Sequence, residues 1–226
     1  MKYFDSEFFN LNYNYHLGCD EVGRGPLAGP VVSCCVGILG AESIIEFNNY
    51  LNELKNIGIQ DSKKLSSQKR KLILSNLKIN LLDVGQSKIY SFQINNLVFY
   101  FSLSVISNIL IDRINILNAS LKSMNNCIDK FKGNNFVLID GNKIPKNLNS
   151  RFDSKFIIKG DQLSHLIGIA SIIAKEWRDL YMQKMSIIYP GYSLDKHNGY
   201  PTKVHRESIQ KYGITTIHRK TFNGCK

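Results

Sequence analysis

Apolar residues along this chain form two kinds of pattern, short continuous runs and longer segments in which they recur every three or four positions. The runs are rich in β-branched side chains and stop at polar or glycine-containing segments, as buried strands do. They predict strands over residues 16–19, 30–39, 97–105, 136–139 and 156–159. The periodic segments predict helices over 66–78, 106–131 and 163–187.

The order of these elements indicates the fold class. Strands and helices alternate, and no internal repeat or low-complexity linker divides the chain. Ser66 is a suitable N-cap for the helix that follows it. The pattern predicts an α/β protein in which helices cover a central sheet.

One uncharged stretch, residues 89–111, is long enough to span a bilayer. It contains Gln93, three asparagines and four serines, so we interpret it as a buried strand followed by the start of a helix. The first ten residues carry acids where an export signal needs an apolar segment. The sequence therefore predicts a protein without a membrane span that works in the cytoplasm.

Composition adds a nucleic-acid hypothesis. The chain has 226 residues, which suits one domain with a small appendage, and a net charge of +11. Residues 1–140 contain 14 Lys and Arg against 12 Asp and Glu, whereas residues 141–226 contain 15 against 6. A basic C-terminal third favours a polyanionic partner. The alternative is a coding bias, since Lys, Asn and Ile are all abundant.

The five cysteines indicate a reducing environment. None belongs to a CxxC pair, and no histidine stands at zinc-ligand spacing from them. An odd number in a chain of this length predicts packed free thiols rather than disulfides or a zinc site.

Acidic residues follow three of the predicted strands. Asp20 and Glu21 end the first, Asp140 ends the fourth and Asp161 follows the fifth. Acids often terminate strands in turns, and Asp161 alone could cap the following helix. Three strand ends together favour one shared site, because functional groups gather where strands leave the core of an α/β sheet.

Clustered carboxylates without His or Cys favour a hard cation, Mg²⁺ or Mn²⁺. In a basic protein such a cluster suggests phosphodiester hydrolysis with two metal ions about 3.5–4 Å apart. Asp20 and Glu21 are adjacent, so a regular strand would point them to opposite faces. They can share a site only if the strand ends or distorts there, which Gly23 and Gly25 permit.

Seven blocks of sequence, in order, resemble the ribonuclease HII family, the bacterial type 2 ribonucleases H. The first is GCDEVGRGPLAGPVV at residues 18–32. The others are DSKKLS (61–66), INILNASLKSM (114–124), LIDG (138–141), KGDQLSHLIGIASIIAKEWRD (159–179), YPGYSLDKHNGYPTKVH (189–205) and IHRKTF (217–222). The resemblance covers nearly the whole chain.

The resemblance implies an RNase H-like fold, with a central mixed β-sheet flanked by helices and a small C-terminal helical extension. We expect a catalytic domain over 1–188 and a substrate-binding extension over 189–226 that is not independent. It implies cleavage of the RNA strand of RNA/DNA hybrids, and incision 5′ of ribonucleotides embedded in duplex DNA, giving 3′-hydroxyl and 5′-phosphate ends. The family's four metal-binding acids fall on Asp20, Glu21, Asp140 and Asp161, with Mn²⁺ or Mg²⁺ as cofactor.

The family's Gly-Arg-Gly motif falls on Gly23, Arg24 and Gly25, where the resemblance implies that the backbone reads the ribose 2′-hydroxyl and adjacent phosphates. Glycine permits such close approach, and the 2′-hydroxyl distinguishes RNA from DNA. The alternative is a plain tight turn. The family's recognition tyrosine falls on Tyr200, which would stack on the nucleotide after the ribonucleotide; its alternative role is packing in a small subdomain.

Basic residues near these blocks are candidate phosphate contacts, although each alone could be a solvated charge. They are Lys63, Lys64, Lys175 and Arg178. His165 follows Asp161 by four positions and could reach the metal site, or it could be merely structural.

The chain departs from the family pattern in three places. Pro201 stands where a glycine is usual, and Asn198 where a basic residue is usual. Proline after Tyr200 favours extended backbone at the tyrosine. Residues 80–96 look longer than the corresponding family segment, and we interpret them as a surface insertion, a hairpin. The last residues, NGCK, contain no recognisable clamp-binding peptide.

The sequence leaves one functional alternative, a catalytically weak RNA/DNA hybrid-binding protein of the same fold. Retention of all four acids favours the enzyme. A dinucleotide-binding role is disfavoured because GRGPLAG spaces its glycines one residue too far apart. The intact Gly-Arg-Gly favours type HII over type HIII, and we expect a monomer.

Overall fold

Six strands form one mixed sheet in the computed structural model, which describes residues 3–59, 65–86 and 88–225. The strands are β1 (Tyr15–Val22), β2 (Val31–Leu39), β3 (Tyr90–Ile94), β4 (Leu97–Ile106), β5 (Asn135–Asp140) and β6 (Phe152–Ile157). Their order across the sheet is β3-β4-β2-β1-β5-β6. The first four are paired antiparallel, whereas β5 runs parallel to both β1 and β6.

Helices cover both faces of this sheet. They are α1 (Ile44–Asn56), α2 (Ser67–Asn76), α3 (Asn108–Ile114), α4 (Ile116–Ile128), α5 (Gly160–Leu163), α6 (His165–Ile188), α7 (Leu194–His197) and α8 (Lys203–Tyr212). Apolar side chains of α1, α2 and α6 fill one side of the sheet, and those of α4 fill the other. The predicted α/β class, with a mixed sheet flanked by helices, is therefore confirmed.

The long helix α6 lies directly on β1 because of one glycine. A Cβ atom added to Gly18 would stand 2.5 Å from the backbone nitrogen of Ile167. Only glycine lets the helix approach the strand this closely. The contact places the N-terminal end of α6, and the short helix α5 before it, beside the carboxyl ends of β1 and β5.

Two predicted elements differ most from the structure. The helix predicted over 106–131 is two helices, α3 and α4, which meet at Asn115. Asn115 has a φ of 63° and its side chain accepts a hydrogen bond from the amide of Asn118, so it caps α4. The strand predicted over 156–159 begins at Phe152 and ends at Ile157. It is an edge strand with polar residues exposed, so its apolar pattern is weak.

The segment 80–96 forms part of a hairpin, as predicted, but it is more than a surface feature. Strand β3 forms the edge of the main sheet, and its Phe92 and Ile94 are buried in the core. The uncharged stretch 89–111 comprises β4 and the start of α3, as the sequence predicts, and also β3, a strand that the sequence analysis does not predict. Within the described ranges no helix is both long and apolar enough to cross a bilayer.

The last forty residues wrap back toward the start of the chain. After a short 3₁₀ helix, Pro190–Tyr192, they form α7 and α8 and an irregular tail. An isolated antiparallel bridge joins His218 to Ala28. All five cysteines are free and buried, in agreement with the predicted packed thiols.

Candidate active site

Strand pairing places Asp20 and Asp140 side by side. The parallel register of β1 and β5 pairs Cys19 with Ile139, the residues just before the two acids, and ends there. Strand β1 continues to Val22, but only through its pairing with β2. The two strands therefore separate at the acids. The strand does not end at the acids as expected, since β1 stays paired with β2 through Val22; Glu21 lies beyond the pairing with β5, near enough to Asp140 for that charge to raise its pKa.

Asp161 is connected to the same edge through Asp140. The amide of Gly160 donates a hydrogen bond of 2.7 Å to Oδ1 of Asp140, and Asp161 follows as the second residue of α5. Asp161 is buried and does not cap the long helix, since Ser164 accepts the bond from the amide of Ile167. The helix-cap alternative for Asp161 is therefore wrong.

The negatively charged form of Glu21 is disfavoured at its position in the protein. Its Oε1 lies 3.4 Å from Nη1 of Arg24, whereas its buried Oε2 accepts no hydrogen bond from the part of the chain described. Burial raises the pKa of Glu21, the charge of Asp140 raises it further, and Arg24 lowers it in part. A nearby cation would favour the ionised form of this carboxylate.

The acids lie at one edge without forming a closed metal cage. Across residues 3–59, 65–86 and 88–225, no three His, Cys, Asp or Glu side chains converge closely enough to hold an ion. Local donors engage the carboxylates instead: the Glu21 amide donates to Asp20 at 2.7 Å, and the Gly160 amide to Asp140. The atoms that the four acids offer to a metal ion are all carboxylate oxygens, and Glu21 Oε2 is a buried acceptor. The four acids therefore fit Mg²⁺ or Mn²⁺ in the chemistry of their ligand atoms.

A cleft of about 330 Å³ begins at Glu21 and contains most of the predicted substrate residues. Those in its walls, beside the predicted metal ligand Glu21, are Gly23, Arg24, Gly25, Lys175 and Tyr200. A Cβ atom on Gly25 would lie 3.6 Å from the ring of Tyr200, so the Gly-Arg-Gly segment and the tyrosine face each other. Lys175 also donates to Asp179 at 2.6 Å, and Arg24 is half-exposed.

Arg178 does not occupy the position predicted for a phosphate contact. Its side chain is fully buried and donates to the carbonyls of Ala28, Pro30 and Asn198 at 2.9–3.0 Å. A guanidinium engaged in this way has no surface from which to reach a backbone phosphate. Nothing in the sequence indicates this burial, because a charged residue near the middle of a helix is usually exposed. Lys63 and Lys64 lie outside the described residues.

Sequence reasoning missed two arginines that support the cleft. Arg219 is fully buried and donates three hydrogen bonds to carbonyls in the segment after Glu21. Arg70 lines the cleft and pairs with buried Glu176 at 2.6 Å. Arg219 belongs to a recognisable block, IHRKTF, but its neighbour Lys220 and the basic tail made it look like one more surface charge.

His165 has structural contacts at the start of α6. Its amide donates to buried Asp5 at 2.9 Å, and its ring meets the ring of Tyr3 edge-on. Ser164 donates to the same carboxylate. The N-terminal segment thus closes over the beginning of the helix that follows Asp161, in agreement with the structural alternative for His165.

The backbone around Tyr200 is set by its neighbours rather than by Pro201 alone. Asn198 and Gly199 have φ values of 50° and 79°, which produce a sharp turn. The amide of Tyr200 donates to the carbonyl of His197 at 2.8 Å, and its ring is 38% exposed. Pro201 directly precedes Thr202, the N-cap of α8, so it lies outside the helix and removes none of the helix's hydrogen bonds.

Known proteins resemble this chain in sequence over nearly its whole length. Residues 17–225 match the family model described as Ribonuclease HII. Ribonuclease HII of Caldicellulosiruptor bescii is 40% identical over 224 residues, which cover 98% of this chain and 93% of the relative. Ribonuclease HII of Francisella philomiragia is 40% identical over 207 residues, covering 91% and 95%.

Solved structures share the fold at lower identity. Ribonuclease H2 from Pyrococcus horikoshii OT3 is 22% identical with a TM-score of 0.66, over 93% of this chain and 95% of that one. RNase HII in a complex with PCNA from Archaeoglobus fulgidus is 20% identical with a TM-score of 0.68, over 92% and 95%. Bst-RNase HIII in complex with Mn²⁺ is 15% identical with a TM-score of 0.64, over 98% and 70%.

Proposed function

Because this chain belongs to the ribonuclease HII family, we propose that it is a metal-dependent endoribonuclease with two kinds of substrate. It hydrolyses the RNA strand of RNA/DNA hybrids, and it incises duplex DNA on the 5′ side of an embedded ribonucleotide. The observation that carries the proposal is one continuous site: acids at a sheet edge, adjoining a cleft that contains Gly23, Gly25 and Tyr200.

The acids would hold the cofactor. Asp20, Glu21, Asp140 and Asp161 supply oxygen ligands suited to Mg²⁺ or Mn²⁺, in keeping with the buried acceptor on Glu21. When two divalent ions are bound, they supply an activated water and stabilise the leaving oxygen, which gives 3′-hydroxyl and 5′-phosphate ends. The protein fixes these acids through strand register and through the Gly160 amide.

Substrate selection would fall to the cleft. Arg24 is half-exposed beside Glu21, where its guanidinium can contact a phosphate next to the scissile bond. Lys175 adds a second, less specific positive charge. The backbone of Gly23, Arg24 and Gly25 would contact the 2′-hydroxyl, and the exposed ring of Tyr200 would stack on the next nucleotide.

The test is direct incision of a defined duplex. The purified protein is incubated with duplex DNA containing one ribonucleotide, with the matching all-DNA duplex, and with a long RNA/DNA hybrid, each with Mg²⁺, Mn²⁺ or EDTA. We expect metal-dependent incision 5′ of the ribonucleotide, cleavage of the hybrid, and an intact all-DNA duplex. The Asp20→Asn variant should bind the hybrid but not cleave it.

Three outcomes decide between the candidates. Binding without cleavage by the unmodified protein in either metal would favour the hybrid-binding alternative. Cleavage of the hybrid alone would remove incision at single ribonucleotides from the proposal. Full activity of Asp20→Asn would contradict the assignment of the metal-binding acids.

Three further statements stay predictions: a cytoplasmic location, a monomeric state, and an extension over 189–226 that does not fold alone. Light scattering of the purified protein measures the second. Expression of residues 189–226 alone tests the third, since a folded product would show that the extension is an independent unit.

A further inference from the structure

Two buried arginines hold the loop of residues 23–30 from behind. Arg219 donates from Nη2 to the carbonyl of Gly23 at 2.6 Å, from Nη1 to that of Arg24 at 3.0 Å, and from Nε to that of Gly29 at 3.0 Å. Arg178 donates to the carbonyls of Ala28 and Pro30. Five of the eight carbonyls in the 23–30 loop therefore point at a guanidinium group.

The bonds to Gly23 and Arg24 determine where two amides point. In a trans peptide the C=O and the following N–H point in opposite directions. When the carbonyls of Gly23 and Arg24 turn inward to Arg219, the amides of Arg24 and Gly25 must face away from it, on the side of the cleft. Neither amide donates a hydrogen bond to any residue within the described ranges. They are available to a ligand.

The two arginines also bring positive charge behind the loop. Both are fully buried, and neither has a carboxylate within 4.0 Å among the residues that the structure describes. Burial lowers the pKa of Arg178 to about 10 and that of Arg219 to about 9, so both remain charged at neutral pH. Buried cations without ion pairs are costly, and apolar side chains of similar size often give a more stable protein. Each guanidinium is stabilised instead by three backbone carbonyls, and five of these six carbonyls belong to the 23–30 loop.

Gly23 shows how closely the arginines fit. It has a φ of 94°, and an added Cβ would lie 2.4 Å from Nε of Arg178 and 2.7 Å from the carbonyl oxygen of Pro30. Glycine at this position thus serves the packing of a guanidinium against the loop as well as the turn itself. The alternative of a plain tight turn does not account for this contact.

We propose that Arg219 is a positioning residue for ribose selection, which aims the Arg24 and Gly25 amides at the 2′-hydroxyl and the adjacent phosphate, with Arg178 supporting the far end of the loop. This inference rests on the proposed function, since it assumes that the loop contacts a ribonucleotide. It assigns a role in ribose selection to a residue near the end of the chain, whereas the Gly-Arg-Gly motif recognised in the sequence lies near the beginning.

Replacement of Arg219 by lysine tests the proposal. Lysine keeps the charge but reaches one carbonyl at most, so the loop loses its fixed orientation. Binding is measured in EDTA, to prevent cleavage, with a duplex containing one ribonucleotide and with the identical all-DNA duplex. We expect the preference for the ribonucleotide to fall about tenfold, which corresponds to one or two misplaced hydrogen bonds. Arg219→Met should lose the same preference and bind both duplexes more weakly.

Arg151→Lys is the matched control. Arg151 also donates to a backbone carbonyl, that of Asp129, but it lies before β6, at the end of that strand opposite the acids. Its replacement should leave the preference unchanged. Thermal unfolding of each variant shows that binding is measured on folded protein.

The outcomes separate this inference from the function beneath it. If the unmodified protein does not incise the ribonucleotide-containing duplex with Mg²⁺ or Mn²⁺, the proposed function fails. If it does, and Arg219→Lys keeps the preference within about twofold, the inference is overturned even when overall affinity falls. Failure of both Arg219 variants to fold would assign the residue to folding and would also overturn it.

Discussion

The Nε2 atoms of His205 and His218 lie 3.2 Å apart in the interior of the C-terminal extension, so one proton must sit between them. Nδ1 of His218 accepts from the amide of Thr215, which leaves its Nε2 as the donor. His205 then accepts at Nε2 and donates from Nδ1 to the carbonyl of Tyr200 at 3.0 Å. This chain of hydrogen bonds from Thr215 to Tyr200 requires both imidazoles to be neutral, because each ring accepts at one nitrogen.

Lowering the pH should therefore reduce both the free energy of unfolding and the affinity for the ribonucleotide-containing duplex. Burial lowers the pKa of His218 to about 4 and lowers that of His205 as well. An unfolded histidine titrates near 6.5. Between about pH 6.5 and 4 the unfolded chain takes up protons that the native protein does not, so the free energy of unfolding falls as pH falls. Urea denaturation and duplex binding across this range measure both effects.

The variant His218→Gln is the control for this titration, because glutamine can accept from Thr215 and donate to His205 without titrating. The dependence of stability on pH should become shallower in it. Some slope should remain, since burial also lowers the pKa of His16 to about 4. An unchanged slope would show that the histidine pair is not the titrating group.

Replacing Glu21 by glutamine should separate activity from stability. Cleavage should fall by more than about a hundredfold, because a metal-binding oxygen loses its charge. In EDTA the melting temperature should stay the same or rise, since burial and Asp140 both disfavour the glutamate charge. Mg²⁺ should raise the melting temperature of the unmodified protein more than that of the variant. An equal metal effect on both would remove Glu21 from the metal site.

Tyr200 should matter most where a ribonucleotide stands alone. Its exposed ring faces Gly25, and loss of base stacking costs about 1–3 kcal/mol, or roughly 5- to 150-fold. Tyr200→Ala should lose more activity on a lone embedded ribonucleotide than on a long hybrid, whereas Tyr200→Phe should retain both activities. The comparison is of kcat/KM on the two substrates, and equal losses in Tyr200→Ala would count against this role.

Replacing only one partner of the buried ion pair between Arg70 and Glu176 should lower the free energy of unfolding. The two groups are 2.6 Å apart and both are nearly inaccessible to solvent. Arg70→Met leaves a buried carboxylate and should destabilise the protein by about 3–5 kcal/mol. Arg70→Met combined with Glu176→Leu should recover much of that loss.

The exposed pair of Lys203 and Glu207, at 3.8 Å, provides the comparison. Lys203→Met should change the free energy of unfolding by less than about 1 kcal/mol. Urea denaturation with matched slopes measures all of these variants. A small effect of Arg70→Met would show that water reaches the Glu176 carboxylate.

The sequence predicted those parts of the fold and site that local pattern determines. Buried strands such as β2 appear in the sequence as continuous apolar runs. The acids are recognisable because it is unusual for carboxylates to follow three such runs in one chain. The strand predicted from residue 156 begins later in the sequence than β6 does in the structure, because exposed polar residues interrupt the apolar pattern of this edge strand. The break at Asn115 was missed, since helical spacing continues across it.

Residues that act through long-range contacts could not be predicted. Nothing near Arg178 or Arg219 in the sequence indicates that their partners are carbonyls some 150 and 190 positions away. An arginine whose partners are backbone atoms leaves no complementary residue to notice. Arg178 was accordingly assigned to the surface, and Arg219 was not singled out.

The bonds from Arg219 to Gly23 and Arg24 also have a consequence for synthesis on the ribosome. The amides that face the cleft belong to residues 24 and 25, but the side chain that orients them is among the last residues to be translated. Contacts this distant in sequence form late in folding. A nascent chain that already exposes all four acids therefore still lacks its oriented loop. With the proposed role of Arg219, selectivity for ribose would be acquired only after nearly the whole polypeptide has left the ribosome.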